Sequence, residues 1–482
     1  MPTPSSADIL AIAPEIILAI SAGLVLIVDA FLPRLRRSLS GLSMLAIAGA
    51  LWARLSFELP GNVWSGMLRI DQLTAFVDTY ILIAALLAML MAGPFMRRND
   101  ADHGEFYALV LFATVGSMVM ACSIDLLAIF LGLELLSLPL YVLNAFFRRH
   151  EVSVEAGLKY FVVGAFASAF VAYGMALLYG ASASTALTDI GRQVIELGTL
   201  NPLAAVGFAM VVGGLAFKLA LVPCHAWAPD VYQGSPTPVT AFLSVVPKGA
   251  ALIVLLRMVE SMDLLHISPR WVMAGSVIAV ASQTLGNVVA IVQRDIKRML
   301  AYSGIAHMGY ALIAIIVAGS DGGAAVLVYL AAYTLMNMGA FACVAQFSDR
   351  EDRPHLISDL SGQGYNRPVG ALALTICLFA LSGIPPFIGF AAKFVVFRAA
   401  VNEGFVWLAV IGVVNSLISV FYYVRVIYVL YMRPLPEKSP DYGFSFAVCA
   451  TASIAALGTL LLGIYPTAVL AAAQSAILGL AR

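Results

Sequence analysis

The chain has 482 residues, of which 61% are hydrophobic and only 11% charged, with 27 Lys+Arg balancing 27 Asp+Glu to a formal net charge of zero. A soluble domain is nearer half apolar and a quarter charged, so this composition, with a mean hydropathy of +0.95, excludes a soluble fold. The neutral balance gives no sign of nucleic acid or an acidic substrate as partner. Long apolar runs predict instead one polytopic membrane domain over 1–482.

An apolar run of about 20 residues crosses the hydrocarbon core as a helix. On that criterion about fourteen spans follow one another, at 9–32, 39–57, 74–96, 105–123, 125–147, 157–180, 203–222, 237–260, 271–292, 299–318, 323–347, 369–399, 404–432 and 444–470. The runs are continuously apolar rather than alternating, which argues against a barrel and for an all-α bundle. The opening MPTPSSADIL lacks a basic n-region and reads as a short lead into span 1.

Loop charge sets the expected orientation, because Lys and Arg concentrate on the cytoplasmic side. The odd-numbered loops carry Arg34, Arg36, Arg37, Arg97, Arg98, Arg148, Arg149, Arg294, Lys297, Arg298, Arg350, Arg353, Arg367, Arg433 and Lys438. The even-numbered loops, adjoining span ends and C-terminus carry fewer: Arg54, Arg69, Arg192, Arg257, Arg270, Arg398 and Arg482. The odd loops are therefore expected in the cytoplasm and both termini on the outer, periplasmic side of a multi-pass membrane protein.

Two spans contain helix breakers. Span 7 ends in LALVPCHAWAPD with Pro223, and span 12 contains ALSGIPPFIGFAAKF with Pro385 and Pro386; proline removes a backbone donor and frees a carbonyl one turn back. A lysine lies near each break, Lys218 before Pro223 and Lys393 after Pro386. Paired broken helices signal an internal repeat. Spans 7 and 12 stand an odd number apart, so two five-helix repeats, spans 4–8 and 9–13, would be inverted in the membrane. The expected layout is N-terminal helices over 1–104, a first repeat over 105–260, a second over 271–432 and a C-terminal helix over 444–470.

The ionisable residues placed within spans are Glu134, Lys159, Lys218, Lys248 and Lys393. An intramembrane charge is costly and marks an ion path or a paired site; the alternatives are a structural ion pair or a lysine snorkelling to the headgroups. Lysine suits a proton relay, because desolvation disfavours its charged form while a nearby carboxylate favours it. Glu134 is the expected partner of Lys218, and carbonyls freed at each break need water or polar partners. His307, in LAYSGIAHMGYAL, either extends the path or is a core histidine bonded to a carbonyl. His225 either belongs to the path or holds its loop, and Arg425 reads as an anchor near the cytoplasmic face. Glu15, Asp29, Asp71, Asp78 and Asp125 lie near span ends and read as solvated, and Glu155 as an entry carboxylate. The five cysteines are scattered and read as buried free thiols. No GxxxxGK[ST], strand–GxGxxG–helix or Cys cluster is present, so no cofactor is expected in this chain.

The segments LGLELLSLPLYVL, EAGLKYF, FKLALVPCHAWAPDVYQGSPTPVTAFLSVVPKGA, RDIKRMLAYSGIAHMGY and LSGIPPFIGFAAKF resemble the antiporter-like membrane subunits of respiratory complex I. The opening APEIILAISAGLVLIVDAF resembles the branch called subunit N. In branch M the position of Lys393 is usually glutamate, and branch L carries a long C-terminal extension. The resemblance implies a proton-pumping module in a bacterial inner membrane. Glu134 and Lys218 would form the first ion pair, Lys248 the connection, His307 a bridge and Lys393 the terminal lysine, while Lys159 matches a lysine of the same family helix. It also implies that NADH, FMN, iron–sulfur clusters and quinone belong to partner subunits. The implied partners are antiporter-like neighbours, small membrane subunits, lipid and protons, and no nucleic acid. Two other readings compete: an Mrp-type cation/proton antiporter, which the same lysines would serve, and a membrane scaffold, which has no need of them.

Overall fold

A computed structural model describes residues 5–196, 201–262, 269–317, 319–349, 352, 356–435 and 445–478. Arg350, Arg353, Lys438 and Arg482, counted above in the charge balance, lie outside the described residues.

The chain is a bundle of helices. Spans 1 to 6 are Ala13–Phe31, Leu39–Ser56, Gln72–Arg98, Gly104–Cys122, Leu126–Asn144 and Glu151–Ser182. Spans 7 to 11 are Pro202–Leu219, Thr237–Ser261, Pro269–Val292, Ile296–Val317 and Gly319–Gln346, and spans 13 and 14 are Val406–Met432 and Phe446–Ile464. Among the described residues, 13 helices are long and apolar enough to cross a membrane. Span 12 completes the expected set in two shorter pieces, Pro368–Ser382 and Ile388–Asn402. The last span was expected to reach residue 470, but the helix stops at Ile464, because Pro466 cannot donate to it, and Thr467–Leu478 starts anew.

Local chemistry sets several helix starts. Asp71 and Asp125 are N-caps, accepting from the backbone N–H of Thr74 at 2.8 Å and of Leu127 at 2.9 Å. Proline occupies the first helical position of span 7 and of the first half of span 12, where its missing N–H costs nothing. An antiparallel hairpin, Gly61–Val63 with Leu68–Ile70, closes the loop between spans 2 and 3, Gly61 facing Ile70.

Spans 8, 10 and 11 form the centre and are buried along nearly their whole length, whereas spans 1, 6, 9, 13 and 14 expose much of their surface. The outer faces carry apolar side chains such as Ile20, Leu131, Phe166, Leu417 and Leu461, as expected where lipid or other apolar chains replace water. Span 4 meets span 5, and span 9 meets span 10, through glycines. A Cβ on Gly116 would stand 2.3 Å from the backbone nitrogen of Leu136, and one on Gly286 would stand 2.8 Å from the backbone nitrogen of Ala306. Small residues at these contacts let the backbones touch, at the same place in each expected repeat.

The solvated reading of the acidic residues near span ends is overturned. Glu15, Asp29, Asp71, Asp78 and Asp125 are all buried, as N-caps or ion-pair partners. Two arginines counted as loop charges are buried with them: Arg54 pairs with Glu15 and Asp78, and Arg257 pairs with Asp71. Lys297, also counted in a loop, is buried at the start of span 10 and pairs with Asp352 at 3.1 Å.

Candidate functional site

Span 7 breaks after Leu219. Ala220 takes a left-handed conformation and closes the helix with N–H bonds to Ala216 and Phe217. The chain then turns through Pro223 and resumes as the short helix Trp227–Gly234. Trp227 secures the break by donating its indole N–H to the Phe217 carbonyl at 3.0 Å. Lys218 lies in the last turn of the first half and is 3% exposed. Its Nζ stands 5.4, 5.2 and 5.9 Å from the ring centroids of Tyr141, Tyr160 and Phe217, within the range of cation–π attraction. Its one hydrogen-bond contact among the described residues is with the Tyr160 hydroxyl, at 3.5 Å.

Glu134 lies on span 5 within electrostatic reach of both Lys218 and Tyr141. The two do not touch: no Glu134–Lys218 contact within 4.0 Å is present among the described residues, and the buried Glu134 Oε1 has no hydrogen-bond partner. The direct ion pair implied by the family resemblance is thus not formed among the described residues, and the rings of Tyr141, Tyr160 and Phe217 surround the ammonium instead.

Lys248, 1% exposed, sits in the middle of span 8 directly after Pro247. Its Nζ lies 5.4 Å from the Tyr232 ring centroid and has no hydrogen-bond partner. Gly304 of span 10 makes room for it. A Cβ there would meet the Tyr333 hydroxyl at 2.9 Å and the Lys248 Nζ at 3.0 Å.

His307 is buried one turn further along span 10. Its Nδ1 is 2.6 Å from the Tyr329 hydroxyl and its Nε2 is 3.3 Å from the Tyr423 hydroxyl, which meets Ser303 Oγ at 2.5 Å. The alternative of a histidine bonded to a carbonyl is not what the structure shows. Both ring nitrogens meet hydroxyls, each able to donate or accept, and Lys248 and Lys393 both lie within electrostatic reach.

Lys393 belongs to the second half of span 12 and reaches back across the break. Its Nζ donates to the carbonyls of Leu381 and Ser382 at 3.1 and 3.0 Å, and to Ser416 Oγ at 2.8 Å. Those carbonyls end the first half-helix, whose C-terminal partial negative charge favours a cation. Tyr310 links Lys393 to the histidine: its ring centroid is 5.0 Å from the Lys393 Nζ and 5.9 Å from that of His307. Its hydroxyl accepts from Asn287 Nδ2 at 3.0 Å.

Lys218, Lys248, His307 and Lys393 therefore form one buried row across the middle of the bundle, joined by tyrosines. Tyr160 packs tilted against Trp227 at 4.8 Å, Trp227 meets Tyr232, and His307 lies 5.2 Å from the Tyr333 ring. The tyrosines were not singled out from sequence, because an aromatic residue in an apolar span carries no signal of its own.

Lys159 is not part of the row. Its side chain is 44% exposed and pairs with Glu155 at 2.8 Å and Asp230 at 2.9 Å. Asp230 in turn pairs with Arg298 at 2.6 Å, so the cluster ties spans 6 and 10 to the break on the outer surface. One helical step separates Lys159 from the buried Tyr160, and that step turns it outward. His225 is half-buried in the break, and its Nδ1 lacks a partner. Arg425 caps the end of span 9, donating to the carbonyls of Ile291 and Gln293 at 2.5 and 2.6 Å. All five cysteines are free.

For metal binding, Asp29, His103 and Glu105 bring ligand atoms within 4.8 Å of one another. The Asp29 oxygens are already engaged by Arg36 at 2.6 Å and by the Gly104 N–H at 2.8 Å, so the group is accounted for as an ion pair and loop tie.

Residues 123–419 match the family described as NADH:quinone oxidoreductase/Mrp antiporter, TM. NADH-quinone oxidoreductase subunit N of Trichlorobacter lovleyi is 40% identical over 473 residues, covering 97% of this chain and 96% of that one. Subunit N 2 of Rhizobium meliloti is 39% identical, with 98% of both covered. A chain in respiratory complex I from Thermus thermophilus with bound aureothin superposes with a TM-score of 0.83 at 33% identity, over 96% of this chain and all of that one. A chain of the Mrp complex from Dietzia sp. shares the fold, with a TM-score of 0.84 at 21% identity over 98% of this chain and 97% of that one. With such relatives matched along nearly its whole length, the chain belongs to the subunit N family of NADH-quinone oxidoreductases.

Proposed function

We propose that this chain is a proton-translocating membrane subunit of a bacterial NADH-quinone oxidoreductase, and that Glu134, Lys218, Lys248, His307 and Lys393 carry the protons. The observation that supports the reading most is the row itself. Three buried lysines are linked through neighbouring tyrosines and a histidine. A fixed structural cation needs a counter-ion, and none of the three has a carboxylate within 4.0 Å among the described residues. Burial without a counter-ion disfavours the charged form of a lysine, which lets each one release its proton when a neighbour becomes charged. Water in the gaps between side chains completes the hydrogen-bonded path.

In this reading the odd loops face the cytoplasm, both termini face the periplasm, and the path runs from the Glu134–Lys218 end to Lys393. Spans 4–8 and 9–13 are inverted repeats, supported by the matching breaks and the matching glycine contacts. NADH, FMN, iron–sulfur clusters and quinone sit in partner subunits, and electron transfer there drives the row. Relatives named subunit N at about two-fifths identity favour this over an Mrp-type exchanger, whose likeness extends to the fold. The test is proton pumping by assembled complex carrying Glu134→Ala, Lys218→Ala or Lys393→Ala. Each is expected to lower pumping sharply; wild-type pumping in all three, or sodium/proton exchange by the isolated chain, overturns the proposal.

A further inference from the structure

A second cluster of buried charges lies away from the lysine row, where spans 1 and 3 begin and spans 2, 4 and 8 end. Arg54 is 4% exposed and stands between two carboxylates, Glu15 at 4% and Asp78 at 0%. Its Nη2 donates to Glu15 Oε1 at 2.9 Å, its Nε lies 2.7 Å from Asp78 Oδ2, and its Nη1 donates to the Ala11 carbonyl at 3.2 Å.

The stoichiometry sets this cluster apart from its neighbour. Arg257 pairs with a single carboxylate, Asp71, whose oxygens also accept from Thr74, and its own Nε donates to the Ala121 carbonyl. Arg69 also meets Asp71, its Nε 3.4 Å from Oδ2, so two arginines serve that one carboxylate. Glu15 and Asp78 instead share one guanidinium, and Glu15 Oε2 and Asp78 Oδ1 have no hydrogen-bond partner. The other ionisable groups facing the site are Arg257, paired with Asp71, and the buried thiol of Cys122; beyond them lie Asp71, the half-buried Glu260 and Arg69, whose charge is engaged by Asp71. Tyr80, two residues further along span 3, has a hydroxyl without a partner. A buried carboxylate without a counter-charge takes up a proton rather than stay ionised.

We propose that Glu15 and Asp78 hold one proton between them, making a buried proton-binding site separate from the lysine row. Taking up one proton from solvent brings the trio Glu15, Arg54 and Asp78 to zero net charge and turns one orphan oxygen into a donor. Tyr80, on the same span as Asp78, reaches the row's scaffold. The Tyr80 hydroxyl packs against Gly249, where a Cβ would stand 2.2 Å from it, and Gly249 directly follows Lys248.

Infrared spectroscopy of the purified complex reads a protonated carboxyl directly, through a carbonyl band that shifts in heavy water. The wild-type complex at neutral pH is expected to show this band, and Asp78→Asn and Glu15→Gln are each expected to lose it. Either change leaves one carboxylate for Arg54, so the remaining acid ionises. Either variant decides the matter alone if the other does not assemble. A band retained in an assembled variant overturns the proposal, and so does a band that appears only when sodium is withheld, which would place a sodium ion there.

Discussion

The two broken helices place a lysine against a helix C-terminus in different ways. Lys218 grows from the first half of its own helix and meets three aromatic rings and one distant hydroxyl. Lys393 grows from the second half of its helix and reaches back to two carbonyls and a serine. Both ammonium groups lie at the negative end of a half-helix, yet only Lys393 has oxygen ligands at ordinary distance. The difference teaches what a break is for. In span 12 it exposes carbonyls that hold the Lys393 ammonium in place. In span 7 the same exposed position is closed by Ala220 and Trp227, which leaves Lys218 with one long hydrogen bond and Glu134 within electrostatic reach.

The comparison can be broken most directly by truncating both lysines. Lys218→Ala and Lys393→Ala should both stop translocation by this subunit, measured as proton uptake or release per NADH oxidised in reconstituted complex. They should differ in stability. Lys393→Ala leaves the buried Leu381 carbonyl without its donor, a loss of about 1–3 kcal/mol, whereas Lys218→Ala strands no carbonyl. Thermal denaturation of the purified complex should show the larger drop for Lys393→Ala, and equal drops would erase the distinction.

A smaller effect is expected between the two breaks. Gly304→Ala puts a methyl group 2.9 Å from the Tyr333 hydroxyl and 3.0 Å from the Lys248 ammonium. Overpacking of this kind costs about 1–3 kcal/mol, and the displaced ammonium should slow translocation while the complex still assembles. A variant pumping at the wild-type rate would show that Lys248 does not need this position. The smallest effect is expected at Lys159. Exposed ion pairs contribute about 0.2–1 kcal/mol, so Lys159→Ala should leave translocation near wild type in the same assay. A loss comparable to that of Lys218→Ala would return Lys159 to the path.

Much of this was legible in the sequence, for a physical reason. A lysine in an apolar run is conspicuous, and a proline in the same run is equally so, which is why Lys218 with Pro223 and Lys393 with Pro386 stood out. What a one-dimensional pattern does not show is the helix face. Lys159 and Tyr160 are adjacent, but one faces out and the other lines the row. Nor does position near a span end show burial. Glu15, Arg54, Asp71 and Asp78 looked solvated, and they are enclosed because the hairpin and the ends of spans 4 and 8 cover that end of the bundle. The tyrosines that connect the lysines carried no signal at all, since they pack like any aromatic residue until their partners are known.

The central claim is that the row works by losing and regaining protons at its lysines. Lys248→Arg tests it most directly. Arginine keeps the charge and much of the volume but does not deprotonate in proteins. Proton translocation per NADH and turnover should be measured together in reconstituted complex of confirmed subunit composition. The account predicts that the assembled variant loses this subunit's translocation. Wild-type stoichiometry at the wild-type rate would contradict it.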